Sequence, residues 1–381
     1  MSRLRVALLA DFLEEGWPSM DLVADMLLDR LTREHGGAID ATLVRPPLSR
    51  RLSRLSRRHQ AFALDRIAGR MWDYPRLAGT LAGRFDIFHI VDHSYSQLVH
   101  RLPGERTIVT CHDVDTFRSV LEPEREPRSA AFRAMTRRIL AGLGKAGHIV
   151  CDTEATRAQV LNRAGIAASK TSVVHNGPHP SCTPFAEAWA DHEAARLLGP
   201  PRSSIDLLHV GSAIPRKRID LLIRIMAALG RKARLVRVGG AFAAEQAALA
   251  RDLGVGNIVV LPFIDRSTLA AIYRRSALLL MPSEREGFGL PIVEALACGT
   301  AVVASDIPAL REVGADAVSY CAVGDIEAWR TTIGALLDER EQRPAEWAER
   351  RALGIRRADA FSWSTYAGEI AAIYERTNPT C

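Results

Sequence analysis

The sequence predicts two doubly wound α/β domains, and three observations carry that expectation. The chain has 381 residues, more than one compact core usually takes and comfortable for two domains of about 100–200 residues each. Short β-branched or leucine-rich runs alternate with helix-length amphipathic stretches throughout, the pattern of parallel strands covered by helices on both faces. Near the middle, the segment HNGPHPSCTP after Val174 concentrates Gly and Pro and reads as an interdomain linker.

Strands are expected in the first half near Arg5–Ala10, Ala41–Arg45, Ile87–Val91, Thr107–Cys111, His148–Cys151 and Thr171–Val174, each bounded by polar or turn residues. The second half repeats the alternation, with strands at Asp206–Val210, Arg234–Val238, Ile258–Pro262, Ala277–Met281 and Ala301–Ser305. Helices are expected between them at Ile219–Leu229, Phe242–Asp252 and Ser267–Arg275. In the terminal stretch FSWSTYAGEIAAIYER, Trp363, Tyr366, Ile370 and Tyr374 recur at helical intervals and should dock an apolar face.

Composition narrows the class. With 48% hydrophobic and 25% charged residues, the chain has the make-up of a folded globular protein. No apolar run approaches the ~18 residues of a spanning helix. VALLA from Val6 meets Asp11, Glu14 and Glu15 too soon for a signal peptide, so a cytoplasmic protein is expected. Six scattered cysteines, without a CxxC pair or a His/Cys cluster, suggest neither a zinc site nor a disulfide framework.

The net charge of +6 is unevenly spread. Between Arg45 and Arg70 lie eight arginines and one acid, Asp65, with Leu48, Leu52, Leu55 and Phe62 interleaved. Such a basic amphipathic segment either meets an anionic membrane surface, which would place the protein peripherally at the inner face, or grips phosphate, or is simply a solvated arginine-rich face. Nucleic acid is not expected, because no RNA- or DNA-binding module accompanies the charge.

The densest chemistry lies in EREGFGLPIVEALACG, Glu284 to Gly299. After a strand ending at Met281 comes a glycine-bearing loop, then a helix whose first position suits Pro291 and which stops at Gly299. Gly287 and Gly289 let backbone approach a ligand, and the unpaired amides of the new helix attract anions, so a pyrophosphate fits there. Glu286 and Glu294, with seven residues between them, flank that turn as acceptors for sugar hydroxyls. In the first half, TCHDVD places His112 and Asp113 just beyond a strand, where open α/β sheets bind ligands. Asp92 and His93 follow another strand in the same way.

This Glu-x7-Glu spacing, with GFG after the first glutamate and PIVEALACGTAVVAS following, resembles the signature of the retaining glycosyltransferases of family four. LLHVGSAIPRKRIDLLIRIMAAL from Leu207 is similar to the opening of that family's donor domain, and FSWSTYAGEIAAIY to its closing helix. The resemblance implies a GT-B fold: two Rossmann-like domains facing a central cleft, the first at 1–178 for the acceptor and the second at 179–358 for the donor. The helix of 359–381 would then cross back to the first domain.

By the same resemblance, His112, Asp113 and Glu286 would serve catalysis, Glu286 on the donor sugar. Lys217, Arg216, Gly211, Ser212, Phe288, Gly289 and Leu290 would hold the donor phosphates, and Glu294 the ribose. Gly16, Asp92 and His93 would line the acceptor side. Many members have Gly-Arg where this chain has Gly211-Ser212, so Arg216 or Arg218 would supply that cation. The implied activity moves a hexose from a UDP- or GDP-sugar to a hydroxyl of a glycan, lipid-linked or small-molecule acceptor. Retention of configuration is implied, with no metal or cofactor. A nicotinamide oxidoreductase is excluded, because LLADFLEEG after the first strand lacks GxGxxG. A sugar-nucleotide epimerase of the same architecture and a non-catalytic nucleotide-sugar binder stay open.

Overall fold

The computed structural model describes residues 3–54, 59–199, 205–230 and 233–378. The chain divides into two compact units, Met1–Asn176 with Ser362–Cys381, and Gly177–Phe361. The first junction falls inside the predicted linker.

Unit 1 is built on six parallel strands, β1 (Leu4–Leu9), β2 (Ile39–Val44), β3 (Ile87–Ile90), β4 (Thr107–Cys111), β5 (His148–Cys151) and β6 (Thr171–Val173), in the order β2-β1-β3-β4-β5-β6. β3 and β4 are buried at every position, which explains why they read as continuous rather than alternating apolar runs. The helix Pro18–Glu34 takes proline in its first turn and buries Leu22, Val23, Met26, Leu27 and Leu31. The order of strands reverses between β1 and β3, which run parallel, so the carboxyl ends of those strands flank the topological switch point of the sheet.

The C-terminal helix Trp363–Thr377 belongs to unit 1 and packs on Pro18–Glu34. Ser362 caps it by accepting from the Thr365 amide at 3.0 Å. Its predicted face, Trp363, Tyr366, Ile370 and Tyr374, is buried, and the Tyr374 hydroxyl meets His89 Nδ1 at 2.7 Å.

Unit 2 has β7 (Ile205–Val210), β8 (Ala233–Val238), β9 (Ile258–Leu261), β10 (Leu278–Met281), β11 (Ala301–Ser305) and β12 (Val318–Cys321), all parallel, in the order β12-β11-β10-β7-β8-β9. Its switch point lies between β7 and β10. Alternate strand residues feed two layers: Leu208, Val236 and Val302 pack on one face, Leu207, Leu235 and Val303 on the other.

Two details depart from the sequence expectations. β12 was not anticipated, because VSYC is short and half polar; it is an edge strand, whose outer residues need no continuous apolar run. The Arg45–Arg70 segment is not one amphipathic element. Residues 45–50 run without regular structure, and the helix His59–Ala68 passes into a single wider turn, Gly69–Asp73. Leu48 is buried near Gly69 and Phe12 rather than aligned with Leu52, which is exposed. Leu55, Arg57 and Arg58 lie outside the described residues. Three of the arginines are engaged within the unit: Arg45 pairs with Asp21 and Asp25, Arg51 with Asp73 at the surface, and Arg70 donates to Ser94. Among the described residues, no helix is long and apolar enough to cross a membrane.

Candidate active site

In unit 2 the predicted donor residues gather at the β7–β10 switch point. β7 ends at Val210, and Gly211 and Ser212 lead through a loop into the 3-10 turn Pro215–Lys217. β10 ends at Met281, and residues 282–289 lead into the helix Leu290–Ala297, one residue earlier than the sequence suggests. The Lys217 ammonium donates to Glu286 Oε1 at 2.6 Å, and Arg216 Nη1 donates to Oε2 at 3.1 Å and to the Arg285 carbonyl at 2.9 Å. The Glu286 side chain is only 6% exposed. Burial works against its charge, yet Lys217 and Arg216 outweigh burial and hold it below the usual range, so it is a carboxylate.

Gly289 caps the helix in the left-handed region, at φ 88°, and a Cβ there would lie 2.6 Å from Leu310 Cδ2. Only glycine gives this sharp entry, which leaves the first amides of the helix at the loop. Phe288 turns its ring inward, edge to face with Phe361 at 5.7 Å, so only its backbone is placed to serve a ligand.

Glu294, inside that helix, is separate from the Glu286 cluster. Its Oε1 accepts from Arg266 at 3.2 Å and its Oε2 from the Tyr273 hydroxyl at 3.1 Å. Burial raises it above the ordinary carboxyl range despite both partners. Arg218, the other predicted substitute cation, is committed to Asp220 at 2.8 Å. Of the two arginines, only Arg216 joins the cluster.

In unit 1 the residues that follow β1, β3 and β4 meet at the carboxyl edge. His112 is fully engaged: Nδ1 lies 2.6 Å from Asp152 Oδ2 and Nε2 2.8 Å from the Val91 carbonyl. Burial disfavours charging the ring, but Asp152, with Asp92 and the Val91 carbonyl, outweighs it and raises His112 to about 9. Near neutrality it is an imidazolium donating both protons, and therefore a buried fixed cation rather than a free base. His93 accepts from the His112 amide through Nδ1 at 3.3 Å, while its Nε2 lies 3.6 Å from Asp113 Oδ1. Asp113 also accepts from the Asp115 amide at 2.9 Å.

Asp92 caps the following turn, accepting from the Ser94 amide at 2.7 Å. Beside it lies Asp11, just beyond β1, which the sequence reading passed over. Burial, then the Asp92 carboxylate, push Asp11 well above the usual range, so it keeps its proton. His93 and His112 overcome burial to keep Asp92 charged. Gly16 lies further along the β1 loop at φ 67°, closing the turn Leu13–Glu15 and bearing no side chain toward this cluster. Asp152 and Asp11 were legible in principle, since each is an acid one or two residues past a buried strand.

A parallel sheet with cations and a helix amino end at its switch point is the build of a phosphate-binding Rossmann-type unit; unit 2 has that build, and unit 1 repeats the parallel sheet with the carboxyls Asp11 and Asp92 at its switch point. Residues 193–352 match the family described as Glycosyl transferases group 1, and residues 27–181 match Glycosyltransferase Family 4. The two matches take up most of residues 27–352 between them, and the fold is that of the GT-B glycosyltransferases. It is 31% identical over 255 residues to a D-inositol 3-phosphate glycosyltransferase of Kineococcus radiotolerans, a match covering 61% of this chain and 57% of that relative. To D-inositol 3-phosphate glycosyltransferase 1 of Catenulispora acidiphila it is 29% identical over 333 residues, 82% of this chain and 76% of the relative. Its fold superposes on Anabaena HepE, solved with UDP and glucose, with a TM-score of 0.73, 16% identity, and coverage of 98% of this chain and 100% of that one.

Proposed function

We propose that the chain is a retaining, metal-independent hexosyltransferase that draws on a UDP- or GDP-sugar bound to unit 2. The observation that carries this reading is the contact of Lys217 and Arg216 with Glu286 across the β7–β10 switch point, at the amino end of the helix Leu290–Ala297. A diphosphate entering there would draw both cations off Glu286. The released carboxylate, which only accepts hydrogen bonds, would then receive the sugar hydroxyls. Glu294 would exchange Arg266 or Tyr273 for the ribose hydroxyls.

In the transfer, the bond from the anomeric carbon to the phosphate oxygen breaks and a bond to the acceptor oxygen forms on the same face. The acceptor proton passes to the departing phosphate oxygen. Lys217, Arg216 and the helix end stabilise the charge on that leaving group. They supply what a divalent cation would otherwise supply, which is the ground for proposing that none is needed.

Thermal shift with UDP-, GDP-, ADP- and TDP-sugars, followed by slow donor hydrolysis, tests the reading. A donor at a hundred times its Kd should stabilise the protein by about 2.7 kcal/mol, and UDP- or GDP-sugar is the expected one. Indifference to all four would sink the donor site. Continued interconversion of the sugar without acceptor would mark an epimerase, and binding without hydrolysis or transfer would mark a non-catalytic binder.

For the acceptor, the relatives' names point to D-inositol 3-phosphate, but the carboxyls of Asp11 and Asp92 favour hydroxyls over a phosphate at the β1–β3 switch point. A lipid-linked acceptor at the inner face of an anionic membrane is a second reading, favoured by Leu64, Ile67 and Trp72, all exposed, with Arg76 stacked 3.6 Å over the Trp72 ring. Co-sedimentation with phosphatidylglycerol vesicles should fall about tenfold on Trp72→Ser with Ile67→Ser; equal recovery of both proteins would dismiss the membrane.

A further inference from the structure

Two buried arginines on neighbouring turns of β8 are treated in opposite ways. Arg234 is bound bidentately by Asp206 at 2.6 and 2.7 Å and also donates to the Leu198 carbonyl at 2.8 Å. Arg237 lies on the opposite face and is equally buried, at 0% exposed. It makes one hydrogen bond, from Nη2 to the Gly211 carbonyl at 3.2 Å. Its Nε and Nη1 have no partner among the described residues, no carboxylate there pairs with it, and its other contact is the Phe242 ring at 5.4 Å. A buried charge in this condition is expensive.

Among the described residues the neighbourhood offers Arg237 no internal counter-ion. It pairs across the strands with His209 on β7, whose Nδ1 is likewise without a partner. Burial, then the charges of Arg237 and Lys217, depress His209 to about 3, so it stays neutral. A Cβ on Gly211 would lie 3.6 Å from both the His209 ring and Lys217 Cε, which puts all four residues round one turn. Gly239 closes the other side: a Cβ there would fall 2.1 Å from the Gly211 carbonyl oxygen. Nearby, one carboxylate, Glu286, answers Lys217 and Arg216. Among the described residues Arg237, Lys217 and Arg216 thus share the one acid Glu286, while Arg218 and Arg285 are paired with Asp220 and Glu284, and an incoming anion would balance the surplus.

We infer that Arg237 is a positioning residue of the donor site, pinning the Gly211 turn and setting, through its charge, how strongly the site holds phosphate. The inference rests on the donor reading above and goes further, since it assigns phosphate selectivity to a residue that the ligand need not touch. Coulombic attraction from a buried cation scales with the charge of the ligand, so the site should rank nucleoside diphosphate over monophosphate over nucleoside more steeply with Arg237 than without.

Calorimetric titration of wild type, Arg237→Met, Arg237→Gln and Arg237→Lys with the diphosphate, monophosphate and free nucleoside of the preferred base tests this. Arg237→Met and Arg237→Gln should each weaken the diphosphate about tenfold and the monophosphate less, with the nucleoside unchanged. Arg237→Lys should stay within about threefold of wild type, and the two neutral variants should melt, ligand-free, no lower than wild type, because each removes an unpaired buried charge. Equal losses for all three ligands, full affinity in Arg237→Gln, or a collapse in ligand-free melting would each overturn the inference in favour of a packing role. A wild type that binds no nucleoside diphosphate overturns the donor reading as well, whereas tight binding unaffected in Arg237→Met overturns this inference alone.

Discussion

Lys217→Met should lower turnover by about a hundredfold to a thousandfold with whichever nucleotide-sugar the enzyme accepts, the loss that follows removal of one preorganised charge donor at a developing anion. The side chain is unbranched and apolar along its stem, so methionine fills much the same path beside Gly211. The missing atom is the ammonium that lies 2.6 Å from Glu286. In the free protein, Glu286 keeps Arg216 at 3.1 Å, so the carboxylate is not stranded and the fold should survive. When the donor binds, however, Arg216 must answer both Glu286 and the phosphates. The loss should therefore fall mainly on kcat, because charge on the leaving diphosphate grows only in the transition state. Steady-state kinetics with a matched melting curve would decide it, and turnover within threefold of wild type would remove Lys217 from the mechanism.

That cluster was legible because its parts are short-range. A strand, a glycine-bearing loop and Pro291 announce a helix amino end from neighbouring residues alone, and Lys217 directly follows Arg216 on the next such loop. Which cation joins which acid was not legible. Arg216 and Arg218 are equivalent on paper, yet the left-handed backbone at Arg218, φ 49°, sends it to Asp220 instead. Ten of the eleven anticipated strands are recovered within one residue at each end, since buried parallel strands are continuous apolar runs; the strand anticipated at Ala41–Arg45 begins two residues earlier, at Ile39, and the edge strand Val318–Cys321 escaped. Arg237 and His209 escaped too. Each is a single polar residue inside an apolar run, which composition reads as an interruption and only the sheet register brings together.

His112 was anticipated by its place after a strand, but its protonation depends on Asp152, forty residues away, and that sets the second large effect. Its pKa rises from an ordinary 6.5 to about 9 in the folded chain. Folded protein thus binds more protons than unfolded protein between those values, and stability falls as pH rises through that window. Below pH 6.5 the full contribution is present. His89 and His209, both depressed to about 3, and His179, depressed to about 4, impose the opposite slope, but only below about 6.5. Above about 8.5 the raised thiols of Cys111 and Cys151 add a fall of their own. Asp11, also protonated in the fold, adds a fall of its own, so from pH 6.5 to 8.5 the part due to His112 is the difference between wild type and His112→Gln, about 1.4 kcal/mol per pH unit or about 2–3 kcal/mol across the interval. For a unit of this size that is about 5–10 °C in Tm. His112→Gln should start less stable by about 3–5 kcal/mol, because Asp152 is left buried without its cation, and its melting temperature should fall less steeply than that of wild type across the interval. A flat wild-type profile, or an equal slope in His112→Gln, would show that the imidazolium does not hold this edge of unit 1 together. In that case His112 would be neutral near pH 7 and available as the general base that its charged form cannot be.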